Sequence, residues 1–182
     1  MAGYDDDAPI LPQVLRLDRL PREGASGSIV ADQTQLLAIA RRLGLIDLSR
    51  LVFEYALTPA GPRKWRLKAK LTADVLQQCV VTLKPVPAQI EESVEEEFWP
   101  ADELEAGEGD AEGVVLSPDG PEPVENARLR LGQFAYETFA SALDPYPRAP
   151  GAKLDCAAAS PAVAPQSPFA KLEKLKKPRS DA

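Results

Sequence analysis

The stretch Lys64–Asp74 constrains the fold more than any other. Trp65, Leu67, Ala69, Leu71 and Ala73 take one parity, and Lys64, Arg66, Lys68, Lys70, Thr72 and Asp74 take the other. Successive side chains of a strand point to opposite faces, so this pattern makes a strand with one dry face and one wet, strongly basic face. The dry face needs a cover and the strand needs neighbours. The next run, Cys79-Val80-Val81-Thr82-Leu83-Lys84-Pro85-Val86-Pro87, is apolar, β-prone and closed by two prolines. Beyond it Ile90, Val94 and Phe98 recur on one parity among glutamates. The reading is strand, corner, and a second element folding back beside the first; the spacings of four suit a helix and the shared parity a strand, and the preceding prolines favour the strand.

The rest of the chain supplies neighbours and cover. Pro12–Leu20 alternates and reads as a first strand, Glu23–Gly27 as a loop, and Ser28–Val30 as a short second strand. Asp32 opens a helix, with Gln35 completing a capping box. Leu36, Ile39, Ala40 and Leu43 fall on one face of it, Arg41 and Arg42 suit its C-terminal dipole, and Gly44 is placed to end it in the left-handed region. Leu51, Phe53, Tyr55 and Leu57 alternate as another strand, and the short Pro59–Pro62 turn makes it an antiparallel neighbour of the basic strand. Phe53, Tyr55 and Trp65 are expected to share one core. Aromatic residues on basic strands also stack bases in RNA-binding sheets, but Trp65 lies on the face opposite the lysines. Leu129–Leu143 is a second helix, with Leu131, Phe134, Ala135, Phe139, Ala142 and Leu143 as its stripe. Asp144 before Pro145 ends it. The fold class is α+β: a mainly antiparallel sheet with two packed helices.

Charge divides the chain more sharply than its net value of −7 suggests. Residues 1–90 sum to +3, 91–125 hold 14 acidic and no basic residues, and 126–182 sum to +4. Residues 101–125, rich in Gly and Pro, read as a disordered acidic insertion with a short apolar island at Val114, Val115 and Leu116. A block of one charge is ordinarily a solvated segment. The other reading is a phosphate mimic that meets a basic partner or covers the protein's own basic face. The Pro-rich run Asp144–Gly151 is stiff and extended. It either wraps the domain or presents a binding edge with Tyr146 and Arg148. One domain over residues 1–151 is expected, followed by a flexible tail over 152–182. Within that tail Ser167-Pro168 starts a short helix bearing Phe169, Leu172 and Leu175 beside Lys171, Lys174, Lys176, Lys177 and Arg179. A helix this short is unstable alone, so it orders on a partner or serves as a solubilising tail.

Two cysteines without CxxC spacing, and no histidine, argue against a zinc site and against the usual cysteine–histidine nucleophile. Cys79, set among valines and leucine, is expected to be buried and inert. No catalysis, cofactor or metal is expected. The acidic start MAGYDDDAPI is unlike a signal peptide, and no apolar run approaches the ~20 residues of a membrane span. A cytoplasmic protein is expected.

The segment CVVTLKPVPAQIEESVEEEFWP, after a basic strand and before an acidic insertion, resembles the core of the YceD family of large ribosomal RNA subunit accumulation proteins. LGQFAYETFASALDPYPRAPGA and the terminal PFAKLEKLKK resemble its alphaproteobacterial branch. Many relatives carry Cys-x-Arg-Cys-Leu at the corner, where this chain reads Cys79, Val80, Val81, Thr82 and Leu83. The resemblance implies a non-catalytic role in large-subunit rRNA accumulation and ribosome assembly, with rRNA or a pre-ribosomal particle as partner. The expected contacts are the strand cations Lys64, Arg66, Lys68 and Lys70, then Lys84, Tyr146 and Arg148, and Lys171 and Lys174 of the tail. The alternative is a holder for a basic ribosomal protein through the acidic segment 91–125. Family genes commonly lie beside one for a small zinc-ribbon ribosomal protein.

Overall fold

The alternating stretch becomes the middle strand of a five-stranded sheet. A computed structural model describes residues 9–106 and 120–153. In chain order the elements are β1 (Leu15–Arg16), a 3-10 turn (Leu17–Arg19), β2 (Ala25–Val30), α1 (Gln33–Leu43), β3 (Asp47–Gly61) and β4 (Lys64–Gln78). There follow β5 (Pro85–Pro100), α2 (Ala101–Ala106), β6 (Glu122–Val124), β7 (Arg128–Leu129) and α3 (Leu131–Ala142). The sheet runs β2-β3-β4-β5-β6, antiparallel except where β6 joins β5, and β1 pairs with β7 in a separate two-stranded ribbon. The class is α+β. By spatial grouping the chain divides after Pro150, and of the second unit only residues 151–153 are described.

β3, β4 and β5 each span about fifteen residues, well beyond the usual strand. Parity places Phe53, Leu57, Leu67, Leu71, Ala73, Val75 and Phe98 on one face, where all are buried. α1 lies against β3, and α3 against β4 and β5. Their Leu36, Ile39, Leu131, Ala135 and Phe139 join that core, each fully buried large side chain contributing roughly 1.5–3 kcal/mol. Phe134 sets α3 onto the sheet with edge-to-face contacts to Phe53 (6.2 Å) and Phe98 (5.7 Å). Gly132 is required there: a Cβ would stand 2.2 Å from the Leu11 carbonyl oxygen. The opposite face of the sheet carries the charged parity and is open to water.

The capping box at Asp32 and Gln35 and the left-handed Gly44 occur as expected. Several boundaries differ. Pro12–Leu20 yields only a two-residue strand before the chain winds into a 3-10 turn. β2 begins at Ala25, inside the expected loop, because residues 25–27 pair with Leu57, Ala56 and Tyr55 of β3. The hairpin turn lies at Pro62-Arg63, with Pro59 retained in β3. Pro85 and Pro87 open β5 rather than close a strand. That edge of β5 has no neighbour until β6, so the missing N–H groups cost no ladder bond there. Both ends of the expected acidic insertion, residues 101–125, carry regular structure. Its start is helix α2, and its end is β6, which pairs through Phe98↔Glu122 and Pro100↔Val124. Val114, Val115 and Leu116 lie outside the described residues. Trp65 faces the core side but only partly buried, at the sheet's far end. There it lines a cleft of about 710 Å³ with Leu17, Arg63, Pro100, Asp102 and Val124.

Candidate nucleic-acid interface

Two places carry the cations that the sequence singles out, and the fold treats them differently. The first is the water-facing side of β3, β4 and β5. Antiparallel pairing puts Arg66 opposite Glu97, Lys68 opposite Glu95 and Lys70 opposite Glu54. Arg66 Nη2 meets Glu97 at 2.6 Å, and its Nε lies 3.6 Å from Glu95. Lys68 Nζ is 3.1 Å from Glu95, and Lys70 Nζ is 3.1 Å from Glu91 along the diagonal. Lys64 Nζ sits 3.4 Å from the centroid of the Trp99 ring and 3.3 Å from Glu103. Trp99 in turn donates its indole N–H to Glu97 at 3.1 Å. Beyond the hairpin turn, Arg63 grips Asp102 with two bonds of 2.9 and 3.0 Å. The Arg66 guanidinium holds the Glu97 carboxyl below its ordinary range, helped by Trp99, and Arg63 does the same to Asp102. Solvent screens these exposed pairs, so they add little to stability. The consequence for binding is larger than for stability. Arg50, Lys64, Arg66, Lys68 and Lys70 face Glu54, Asp74, Glu91, Glu95 and Glu97 across one surface, which sums to zero charge.

The second place is the corner between β4 and β5. Residues 79–84 form a tight turn in which the Cys79 N–H donates to the Lys84 carbonyl (2.8 Å) and the Leu83 N–H donates to the Cys79 carbonyl (2.9 Å). Leu83 is held at φ 59°, a left-handed conformation that L side chains avoid. The segment after α3 is fastened to this turn. Val80 N–H donates to the Pro147 carbonyl (2.9 Å), Ala149 N–H to Cys79 Sγ (3.3 Å), and Gln77 Nε2 to the Asp144 carbonyl (2.9 Å). Pro147 is buried there, while Tyr146 and Arg148 on either side of it are exposed. Lys84 is exposed too, and among the described residues neither Lys84 nor Arg148 has a carboxylate within salt-bridge distance.

Cys79 has no exposed surface, as expected. It is not an ordinary thiol, however. The Ala149 N–H, then Thr82, lower its pKa to about 6, against the opposing effect of burial. Two backbone donors favour the thiolate, which accepts better than the thiol.

The tail residues Lys171 and Lys174 lie outside the described residues, as does the expected helix that carries them. Sequence reading missed two sets of residues. One is the choice of Glu91, Glu95 and Glu97, within a block read as a cover for the basic face, as the partners of the basic strand. Their shared parity, opposite to Ile90, Val94 and Phe98, was the available signal. The other is Val80, Leu83 and Gln77 as the framework of the corner, for which the sequence carries no local mark.

A third feature is acidic. Between the free edge of β5 and α3 lies a groove of about 520 Å³, lined by Glu92, Glu96, Glu122 and Glu137 over Val94 and Phe134. Burial raises the pKa of Glu96, and neighbouring Glu122 and Glu97 add to the effect.

Among the described residues no helix is long and apolar enough to cross a membrane. No curated protein and no solved structure matches the chain. The family model of the large ribosomal RNA subunit accumulation protein YceD matches residues 67–176, from near the start of β4 through the corner, α3 and into the tail. That match takes in more than half of the sequence, so the chain belongs to the YceD family, whose name implies a role in the accumulation of large-subunit ribosomal RNA.

Proposed function

We propose that this chain is a non-catalytic factor in large-subunit rRNA accumulation that binds rRNA or a pre-ribosomal particle in the cytoplasm. One observation carries the reading beyond the family name. Among the described residues, exposed cations without a carboxylate in salt-bridge distance remain on a domain whose net charge is negative. Lys84 and Arg148 are free to meet phosphate, and Lys171 and Lys174 would extend the contact from the tail. Lys64, Arg66, Lys68 and Lys70 must first exchange their own glutamates for phosphate, which makes them secondary contacts.

Crosslinking in cells tests this. The expected adducts are large-subunit rRNA, and depletion of the protein should lower mature large-subunit rRNA relative to small-subunit rRNA. Adducts made up of proteins alone would sink the reading.

The acidic groove favours a second reading, a holder for a basic ribosomal protein. Among the described residues Glu91, Glu95 and Glu97 are already engaged by β4, which leaves the groove's Glu92, Glu96, Glu122 and Glu137 open to such a partner. Replacing these four with glutamine should release the partner and leave RNA adducts unchanged.

A further inference from the structure

We propose that the corner at Cys79 is a contact for single-stranded RNA, in which the Tyr146 ring stacks on an unpaired base while Lys84 and Arg148 hold flanking phosphates. The proposal rests on the reading of the chain as an RNA-binding assembly factor and specifies where and what kind of RNA it binds.

Four observations converge on this place. First, three of the seven large hydrophobic residues exposed among the described residues lie here: Val80 (46%), Leu83 (66%) and Tyr146 (70%). Tyr146 is the only aromatic among the seven. Second, among the described residues the corner's cations Lys84 and Arg148 have no carboxylate within salt-bridge distance, in contrast to the engaged cations on β4. Third, the corner is already organised. The turn and the segment after α3 are tied at Val80, Cys79 and Gln77, and the Tyr146 N–H is fixed on Asp144 Oδ1 at 2.8 Å. Fourth, the left-handed Leu83 closes the turn and leaves two thirds of its own surface exposed, so the turn directs an apolar side chain outward.

The chemistry selects the ligand. An exposed aromatic face and separate point charges suit unstacked bases and a flexible backbone, the usual mode of single-strand recognition. A duplex buries its base faces and offers Tyr146 nothing to stack on. A protein partner would need an acidic, apolar surface and is the competing outcome.

The test uses the full chain and a fluorescent single-stranded RNA of about 12 nucleotides, within the range that such sites cover, beside a duplex of the same sequence. The single strand should bind the more tightly. Tyr146→Ala should weaken it about tenfold, as loss of one stacked base does, while Tyr146→Phe retains binding. Lys84→Ala with Arg148→Ala should reduce the slope of log affinity against log salt by about 1.4, from roughly 0.7 per lost phosphate contact. All three side chains are exposed, so thermal unfolding should be unchanged. If the intact chain binds the single strand and these variants bind it equally well, the corner is the wrong place and the broader reading stands. If the intact chain binds neither this RNA nor large-subunit rRNA, both fall. Crosslinks from position 146 that reach protein instead of RNA also overturn the proposal.

Discussion

The β4–β5 face and the Cys79 corner contain the same kinds of residue and differ in what stands next to them. On the face, Arg66, Lys68 and Lys70 of β4 each meet a glutamate delivered by the neighbouring strand at 2.6–3.1 Å, and Lys64 meets Glu103 of α2 at 3.3 Å. At the corner, Lys84 and Arg148 emerge from a turn and an irregular segment that bring no carboxylate within salt-bridge distance. A basic strand is therefore not a basic surface. The sheet's register decides whether its charge reaches outward, and strand partners separated by 31 residues in sequence cancel it. The corner keeps its charge because turns impose no cross-strand partner.

Three experiments test this contrast. The largest effect is expected from Phe139→Ala. Phe139 is fully buried and anchors α3, which ends just before the segment that completes the corner. The substitution should cost about 3–5 kcal/mol, as large aromatic truncations do, measured by chemical denaturation. In a Cys156→Ser background, Cys79 should also become open to thiol reagents. A loss below about 1 kcal/mol would mean that the corner does not depend on α3.

Next comes the triple replacement Glu91→Gln, Glu95→Gln and Glu97→Gln. It leaves the strand cations in place and removes their partners. RNA affinity should rise about tenfold, and the salt slope should steepen by up to about 2, at roughly 0.7 for each cation released. In the otherwise unchanged chain, replacing Lys68 and Lys70 with alanine should alter the slope little. If that double variant loses most RNA binding, the face is not silenced and the contrast fails.

The smallest effect concerns pH. The Cys79 thiol is held near 6 in the folded chain, from an ordinary value of 9.0. The unfolded chain therefore binds more protons between these values, and stability rises with pH across that window. The contribution is complete above 9 and is lost as pH falls through 6. Thiolate absorbance of the Cys156→Ser protein should titrate near 6 when folded and near 9 when unfolded. Cys79→Ala should flatten the pH dependence of unfolding in that window. A folded midpoint above 8 would show that burial outweighs the two backbone donors. The corner would then hold a neutral thiol.

Much of the fold is written locally. The capping box and Gly44 bracket α1 because both ends are satisfied by residues within one turn. The parity of β4 names its buried set without knowledge of its neighbours, since a strand alternates faces whatever it pairs with. Boundaries were less legible. Pro59, Pro85 and Pro87 read as breakers, yet each sits inside a long strand, because proline's missing donor matters only where a neighbour would have accepted from it.

The sequence by itself determined the α+β class, the two main helices, the core stripe from Leu67 to Val75 and the segregation of charge along the chain, because these depend on periodicity, capping and composition. Tertiary structure alone decided which charges are spent. Glu91, Glu95 and Glu97 lie more than twenty residues from their partners, and only the β4–β5 register brings them within hydrogen-bond reach. It also decided that Cys79, Lys84, Tyr146 and Arg148 belong to one corner. A turn and a segment some 65 residues apart meet there through backbone donors and a sulfur, contacts that leave no pattern in the order of amino acids.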